Sequence, residues 1–140
     1  MPNPLYDRLF GTHAGKTSPF LILPDGTVLS HAAFLGMAAR FSHVIAGLGV
    51  APGDRLAAQV DKSAQALALY AACVQTGVVF LPLNTGYTVD ELTYFIENSG
   101  AALVICDPAR EDGLRPVAEG LGAQLLTLDA TGSGTLCEAA

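Results

Sequence analysis

Asp54-Arg55-Leu56-Ala57-Ala58-Gln59-Val60-Asp61-Lys62-Ser63, an alanine- and leucine-rich stretch to Gln75, and then Gly77-Val78-Val79-Phe80-Leu81-Pro82 decide the fold. Leu56 to Val60 is a short apolar run that reads as a buried strand. Ser63 is placed to cap the helix that follows, because its hydroxyl can accept a backbone N–H left open in the first turn. Gly77 is a C-terminal helix signal. Val78 to Leu81 is a second apolar strand, broken by Pro82. Two strands joined by a helix of this length form a βαβ unit, which requires parallel pairing.

The same alternation continues downstream. Thr88-Val89-Asp90-Glu91 is a capping-box pattern opening a helix with Leu92, Phe95 and Ile96 on one side, closed by Ser99-Gly100. Ala102 to Cys106 is a third strand, ended by Asp107-Pro108. A weaker helix is expected from about Glu111, interrupted at Gly113, with Leu114, Val117 and Leu121 as its apolar side. Gln124 to Leu128 is a fourth strand. Continuous apolar strands fit a sheet covered on both faces.

Upstream, Ser30 precedes a helical pattern through Phe34, Leu35, Ala38, Phe41, Val44, Ile45 and Leu48, stopped by Gly49 and Pro52-Gly53. Phe20 to Leu23 and Thr27 to Leu29 flank Pro24-Asp25-Gly26, a hairpin signal. Leu5 to Phe10 reads as a short helical or irregular lead-in. The fold class is therefore α/β, an open doubly wound, mostly parallel sheet preceded by a β-hairpin. The chain reads as a single domain over 1–140: lead-in 1–18, hairpin 19–30, α/β core 31–128, and 129–140 as the start of a connection to a further part.

Composition limits the partners. Of 140 residues 51% are apolar and only 14% charged, against about 25% charged in ordinary soluble domains. The longest apolar runs, such as Ala66 to Val74, fall far short of the roughly 20 residues of a membrane span. The apolar surplus instead predicts surface that a neighbouring part covers, and self-association where it is left open. The net charge of −6 is spread without a basic stripe, so nucleic acid has no electrostatic footprint here. Cys73, Cys106 and Cys137 are too far apart for a zinc-ligand pair or a disulfide framework. Cys73 and Cys106 lie in apolar segments and are expected to be buried, inert thiols. The N-terminus has neither a basic region nor a long apolar run, so no secretory signal is read and a cytoplasmic setting is expected.

Doubly wound sheets bind ligands at the carboxyl ends of their strands. The residues there are Asp61, Lys62 and Ser63; Pro82, Asn84, Thr85 and Tyr87; Asp107 and Pro108; Asp129 and Thr131. No phosphate-binding glycine loop is among them. Thr131-Gly132-Ser133-Gly134-Thr135 has small residues but no lysine, and reads as a flexible connection. Lys62 is the one charge placed to face an anionic ligand or a partner domain, with a solvated lysine paired to Asp61 as the plainer reading. Asn84 and Thr85 fit a turn after Pro82. His31 and His43 are twelve residues apart on one helix, too far to chelate together. No catalytic residue, cofactor-binding residue or metal ligand is assigned from the residues alone.

Gly49-Val50-Ala51-Pro52-Gly53-Asp54-Arg55-Leu56-Ala57 resembles the "GV-x-x-GDRVA" entry to the first core strand of acyl-CoA synthetases. ALALYAACVQTGVVFLPL, residues 66–83, resembles their alanine-rich helix, glycine and proline-ended strand. Asn84-Thr85-Gly86-Tyr87-Thr88, Glu91-Leu92 and Tyr94-Phe95 are similar to the "PLN-T-x-YT…EL-x-YF" run, and residues 102–108 to the strand after it. Gln59 to Ser63, with Leu69-Tyr70 and Pro82 to Thr85, is most similar to malonyl-CoA synthetases. Ser30-His31 departs from the family's Thr or Ser followed by an aromatic residue, a change in packing at a helix start.

The resemblance covers nearly the whole chain. It implies a parent acyl-adenylate-forming enzyme that activates malonate or methylmalonate with ATP and Mg, then passes the acyl group to coenzyme A. It also implies that the ATP loop with its lysine, the ATP-binding aspartate and arginine, and the lid lysine lie beyond this stretch. The partner of these residues would be the remainder of the enzyme, and alone they would be inactive. Two other readings stand beside it: a synthetase for another carboxylic acid, and a self-contained doubly wound binding or regulatory module. A phosphoacceptor module is disfavoured, since Asp61, Asp107 and Asp129 follow separate strands and no lysine comes after Lys62.

Overall fold

The computed structural model describes residues 2–140. In chain order the elements are α1 (Pro4–Leu9), β1 (Pro19–Ile22), β2 (Val28–Ser30), α2 (His31–Gly47), β3 (Arg55–Gln59), α3 (Ala64–Thr76), β4 (Val79–Pro82), α4 (Val89–Ser99), β5 (Leu103–Cys106), α5 (Glu111–Gly120), β6 (Gln124–Thr127) and α6 (Thr135–Ala139). Short 3₁₀ turns occupy Gly11–His13 and Pro108–Arg110. No helix among the described residues is long and apolar enough to cross a membrane.

β1 and β2 form the antiparallel hairpin, closed by Leu23 N–H to Thr27 O at 2.8 Å, with the Asp25 carboxylate accepting from Thr27 N at 2.9 Å. The four core strands are all parallel, in the order β4-β3-β5-β6. The chain steps from β3 to β4 in one direction, then passes back over β3 to β5 and on to β6. Right-handed crossovers running in opposite directions put their helices on opposite faces.

The strand side chains show this directly. Leu56, Ala58, Leu103 and Ile105 point into a core shared with α2 and α3, including Phe34, Ile45, Leu69 and Ala72. Their neighbours Ala57, Val104 and Cys106 point the other way, against Leu92 and Ile96 of α4 and Leu114 of α5. Each fully buried leucine or isoleucine in these layers contributes about 1.5–3 kcal/mol of transfer free energy.

The caps form where the sequence puts them. Ser63 Oγ accepts from Ala66 N at 3.0 Å, and Thr88 Oγ1 from Glu91 N at 3.2 Å. Gly77 and Gly100 close α3 and α4 in the left-handed region. Two expectations are corrected. Gly113 does not interrupt α5; a Cβ there would come within 3.0 Å of Val89 Cγ2, so the glycine lets α5 approach the start of α4. Nor is the stretch from Thr131 to Thr135 a flexible connection. It is a hydrogen-bonded turn leading into α6, whose Leu136 is fully buried in the α2/α3 core.

Candidate functional site

β3 and β5 lie side by side, and the chain leaves β3 toward α3 on one face and β5 toward α5 on the other. Their carboxyl ends therefore form the switch point of the sheet, where such folds open a crevice. A hollow of about 160 Å³ lies there, lined by Gln59, Asp61, Thr85, Asp107, Ala109 and Arg110. A larger apolar groove of about 420 Å³ lies between α3 and β4, with Val60, Leu67, Tyr70, Phe80 and Leu83 as walls and Lys62 among its lining residues.

Gln59 is the residue that sequence reading missed as a site member. It is 4% exposed at the carboxyl end of β3. Its Nε2 donates to the backbone oxygens of Asn84 at 2.9 Å and Tyr87 at 3.3 Å, clamping the loop after β4. Its Oε1 is buried and has no hydrogen-bond partner among the described residues. The available signal was one polar residue inside an otherwise apolar strand.

Other expected positions divide clearly. Asn84 makes the turn foreseen for it, its Oδ1 accepting from Gly86 N at 2.8 Å, while Thr85 lines the hollow. Asp107 Oδ1 accepts from Ala109 N at 2.8 Å and so fixes the start of the next 3₁₀ turn. The fold thus brings Asp61 and Asp107 to one hollow, while Asp129 follows β6 at the far edge of the sheet. Lys62 is exposed and makes no ion pair with Asp61; among the described residues the single ion pair is Arg115–Glu111 within α5.

The loop after β6 is organised around its own carboxylate. Asp129 Oδ1 accepts from Thr131 N at 2.9 Å, Thr131 Oγ1 at 2.7 Å and Ser133 N at 2.9 Å. These bonds, the Thr131 hydroxyl first and the Ser133 N–H next, hold the Asp129 carboxyl below its ordinary pKa. An internal anion already takes the donors that a phosphate would need. Gly134, at φ 138°, abuts Thr127 O at 2.3 Å from where a Cβ would stand. Thr135 Oγ1 accepts from Thr127 N at 2.8 Å, and Thr135 N donates to Thr127 Oγ1 at 3.0 Å, locking the loop to β6.

The cysteines and histidines sit in different surroundings. Burial raises the thiols of Cys73 and Cys106 to about 12, with Glu111 and Asp107 adding to the effect at Cys106. Thiols with so little thiolate are poor nucleophiles. His13 and His31 stack at 4.8 Å, a pairing not anticipated from their spacing, and His43 is not part of it. Lost hydration, then Lys16 and His31, lower the His13 pKa. Among the described residues no three His, Cys, Asp or Glu side chains converge as a metal site.

Comparison with known proteins agrees with this architecture. The family of AMP-binding enzymes matches residues 11–136. MatB from Rhodopseudomonas palustris, in its ATP-bound crystal structure, is 40% identical, with a TM-score of 0.94 over 99% of this chain and 28% of its own. A feruloyl-CoA synthase from Amycolatopsis is 35% identical over 95 residues, covering 68% of this chain and 19% of that enzyme. The nonribosomal peptide synthetase inpB of Emericella nidulans is 32% identical over 105 residues, 75% of this chain and 4% of its own. This chain thus spans only a small part of the relatives it matches. On the family match and the near-complete superposition on MatB, the chain belongs to the AMP-binding enzyme family and has the fold of the N-terminal domain of adenylate-forming enzymes.

Proposed function

We propose that these residues are the N-terminal scaffold of an acid–thiol ligase that activates malonate or methylmalonate as an acyl-adenylate and transfers it to coenzyme A. The observation that carries the reading is the 40% identity to MatB, a malonyl-CoA synthetase, over 99% of the chain. Activity resides in the full enzyme, in a cytoplasmic setting, and the described residues alone are inactive. The scaffold supplies the sheet, the clamped loop after β4, and the groove lined by Lys62 that faces either the remainder of the enzyme or its ligand. Val79 of edge strand β4 is 50% exposed and Leu67 beside the groove 37%, which supports self-association where that remainder is lacking.

Grafting tests this reading. Residues 1–140 are placed in R. palustris MatB in exchange for its equivalent segment, and likewise in feruloyl-CoA synthase. Substrate-dependent ATP–pyrophosphate exchange is then compared with each parent. The MatB graft is expected to keep activity within about tenfold and the feruloyl-CoA synthase graft to lose considerably more. A folded but inactive MatB graft beside an active feruloyl-CoA synthase graft would instead favour an aromatic acid, the reading that the 35% identity supports.

A further inference from the structure

The start of α2 is held by residues that precede the hairpin. A helix leaves its first N–H groups without helical partners. In α2, Ala33 N donates to Ser30 Oγ at 3.1 Å, but His31 N and Ala32 N donate to Ser18 O at 3.1 Å and Lys16 O at 2.9 Å. Residues 13–18 are therefore part of the cap of α2, and ring stacking docks them in the same place. His13 stacks on His31 at 4.8 Å, His31 meets Phe20 at 5.0 Å, and Phe20 meets the buried Phe34 at 4.7 Å.

Hydrogen-bond chemistry fixes the protons in this stack. An ammonium group only donates, so the 3.1 Å contact of Lys16 Nζ with His13 Nδ1 needs that nitrogen as an acceptor, in a neutral ring. A carbonyl only accepts, so His31 Nδ1 carries a proton and donates to Ser18 O at 3.1 Å. The Ser18 bond survives in either charge state of His31, whereas the Lys16 bond is lost once His13 is protonated. A charged His13 faces Lys16 from its own loop and His31 from α2, and no carboxylate offsets it. Among the described residues, Tyr6, Asp7 and Arg8 of α1 make no ion pair with it, and β1 and β2 carry no titratable group. The next charged residue on α2 is Arg40, about two and a half turns beyond His31.

We propose that His13 is the proton-sensitive catch of this cap. Neutral, it holds residues 13–18 on the start of α2; protonated, it lets them go and bares the first-turn N–H groups of His31 and Ala32. Lost hydration, then Lys16 and His31, lower its pKa, in the direction that such a catch requires. The stabilisation is present above the ordinary histidine value of 6.5 and is lost as pH falls through the lowered one. The catch uses no residue of the switch point or of the α3/β4 groove, so it stands or fails apart from the acyl-transfer reading.

Amide exchange of the 140-residue chain, read by NMR as protection factors between about pH 8 and about pH 5, tests the proposal alongside the His13 imidazole titration. Protection of the His31 and Ala32 amides is expected to fall at least about threefold over that range, while Ala66 at the start of α3 keeps its own. His13→Phe leaves a ring on His31 that cannot take a proton, so protection should be the same at both ends. Lys16→Gln keeps a donor without the charge, so the His13 titration moves up and the loss of protection shrinks. His43→Gln, on the same helix but outside the stack, should change nothing. Constant protection in the unaltered chain, an equal fall at Ala66, a pH dependence that persists in His13→Phe, or a His13 ring titrating at or above 6.5 would each overturn the proposal.

Discussion

Two loops at the same end of one sheet treat their polar groups in opposite ways. After β6, the Asp129 carboxylate gathers three donors of its own turn, and Thr127 and Thr135 exchange hydrogen bonds beneath it. At the switch point between β3 and β5, Gln59 clamps the loop after β4 with one end of its amide and leaves the other without a donor. The first loop is closed because its anion is internal. The second keeps one buried acceptor of its clamp without a partner. A Gly- and Ser-rich composition therefore says little about anion binding until the fate of each N–H is known.

The contrast can be broken most forcefully at Gly134. Gly134→Ala demands a φ of 138° from a residue with a Cβ, against Thr127 O at 2.3 Å. A loss of at least about 3 kcal/mol is expected in urea unfolding; a loss under 1 kcal/mol would show that the loop is free to relax. Gln59→Leu has a smaller effect. Two hydrogen bonds to the loop after β4 disappear, but so does the unsatisfied oxygen, and about 1–2 kcal/mol is expected. Protection of the Tyr87-to-Leu92 amides from exchange should fall at the same time.

Acid sharpens the comparison further. The Asp129 pKa is depressed in the fold, so its contribution is present above the unfolded carboxyl value and is lost as pH falls through the lowered one. Asp129→Asn should flatten that part of the acid limb. The smallest effect is chemical. With thiols near 12, Cys73 and Cys106 should resist a disulfide reagent at mildly alkaline pH until the chain unfolds. Cys137, half-buried, should react first. Modification of all three thiols at one rate in the folded chain would contradict the burial described.

The α/β alternation was legible because β3 and β5 are buried on both faces and so read as unbroken apolar runs. Ser63, Thr88 and Gly77 announced their helix ends through local chemistry. What failed was longer-range. Gly113 looked like a helix breaker because the approach of Val89 is invisible in sequence. Thr131 to Thr135 looked flexible because the Asp129 bonds connect residues whose composition is that of a linker. α6, at five residues, is too short to show a period. Gln59 was passed over as one polar residue in an apolar strand, since its loop partners lie 25 and 28 residues away.

The central claim is that the described residues carry the AMP-binding scaffold without a phosphate cradle. Calorimetric titration of the 140-residue chain with ATP and Mg, paired with amide NMR, tests it most directly. No saturable heat and no shift at Thr131 to Gly134 are predicted. Saturable binding with shifts in that loop would contradict the account, because it would mean that ATP displaces the Asp129 carboxylate from its own turn.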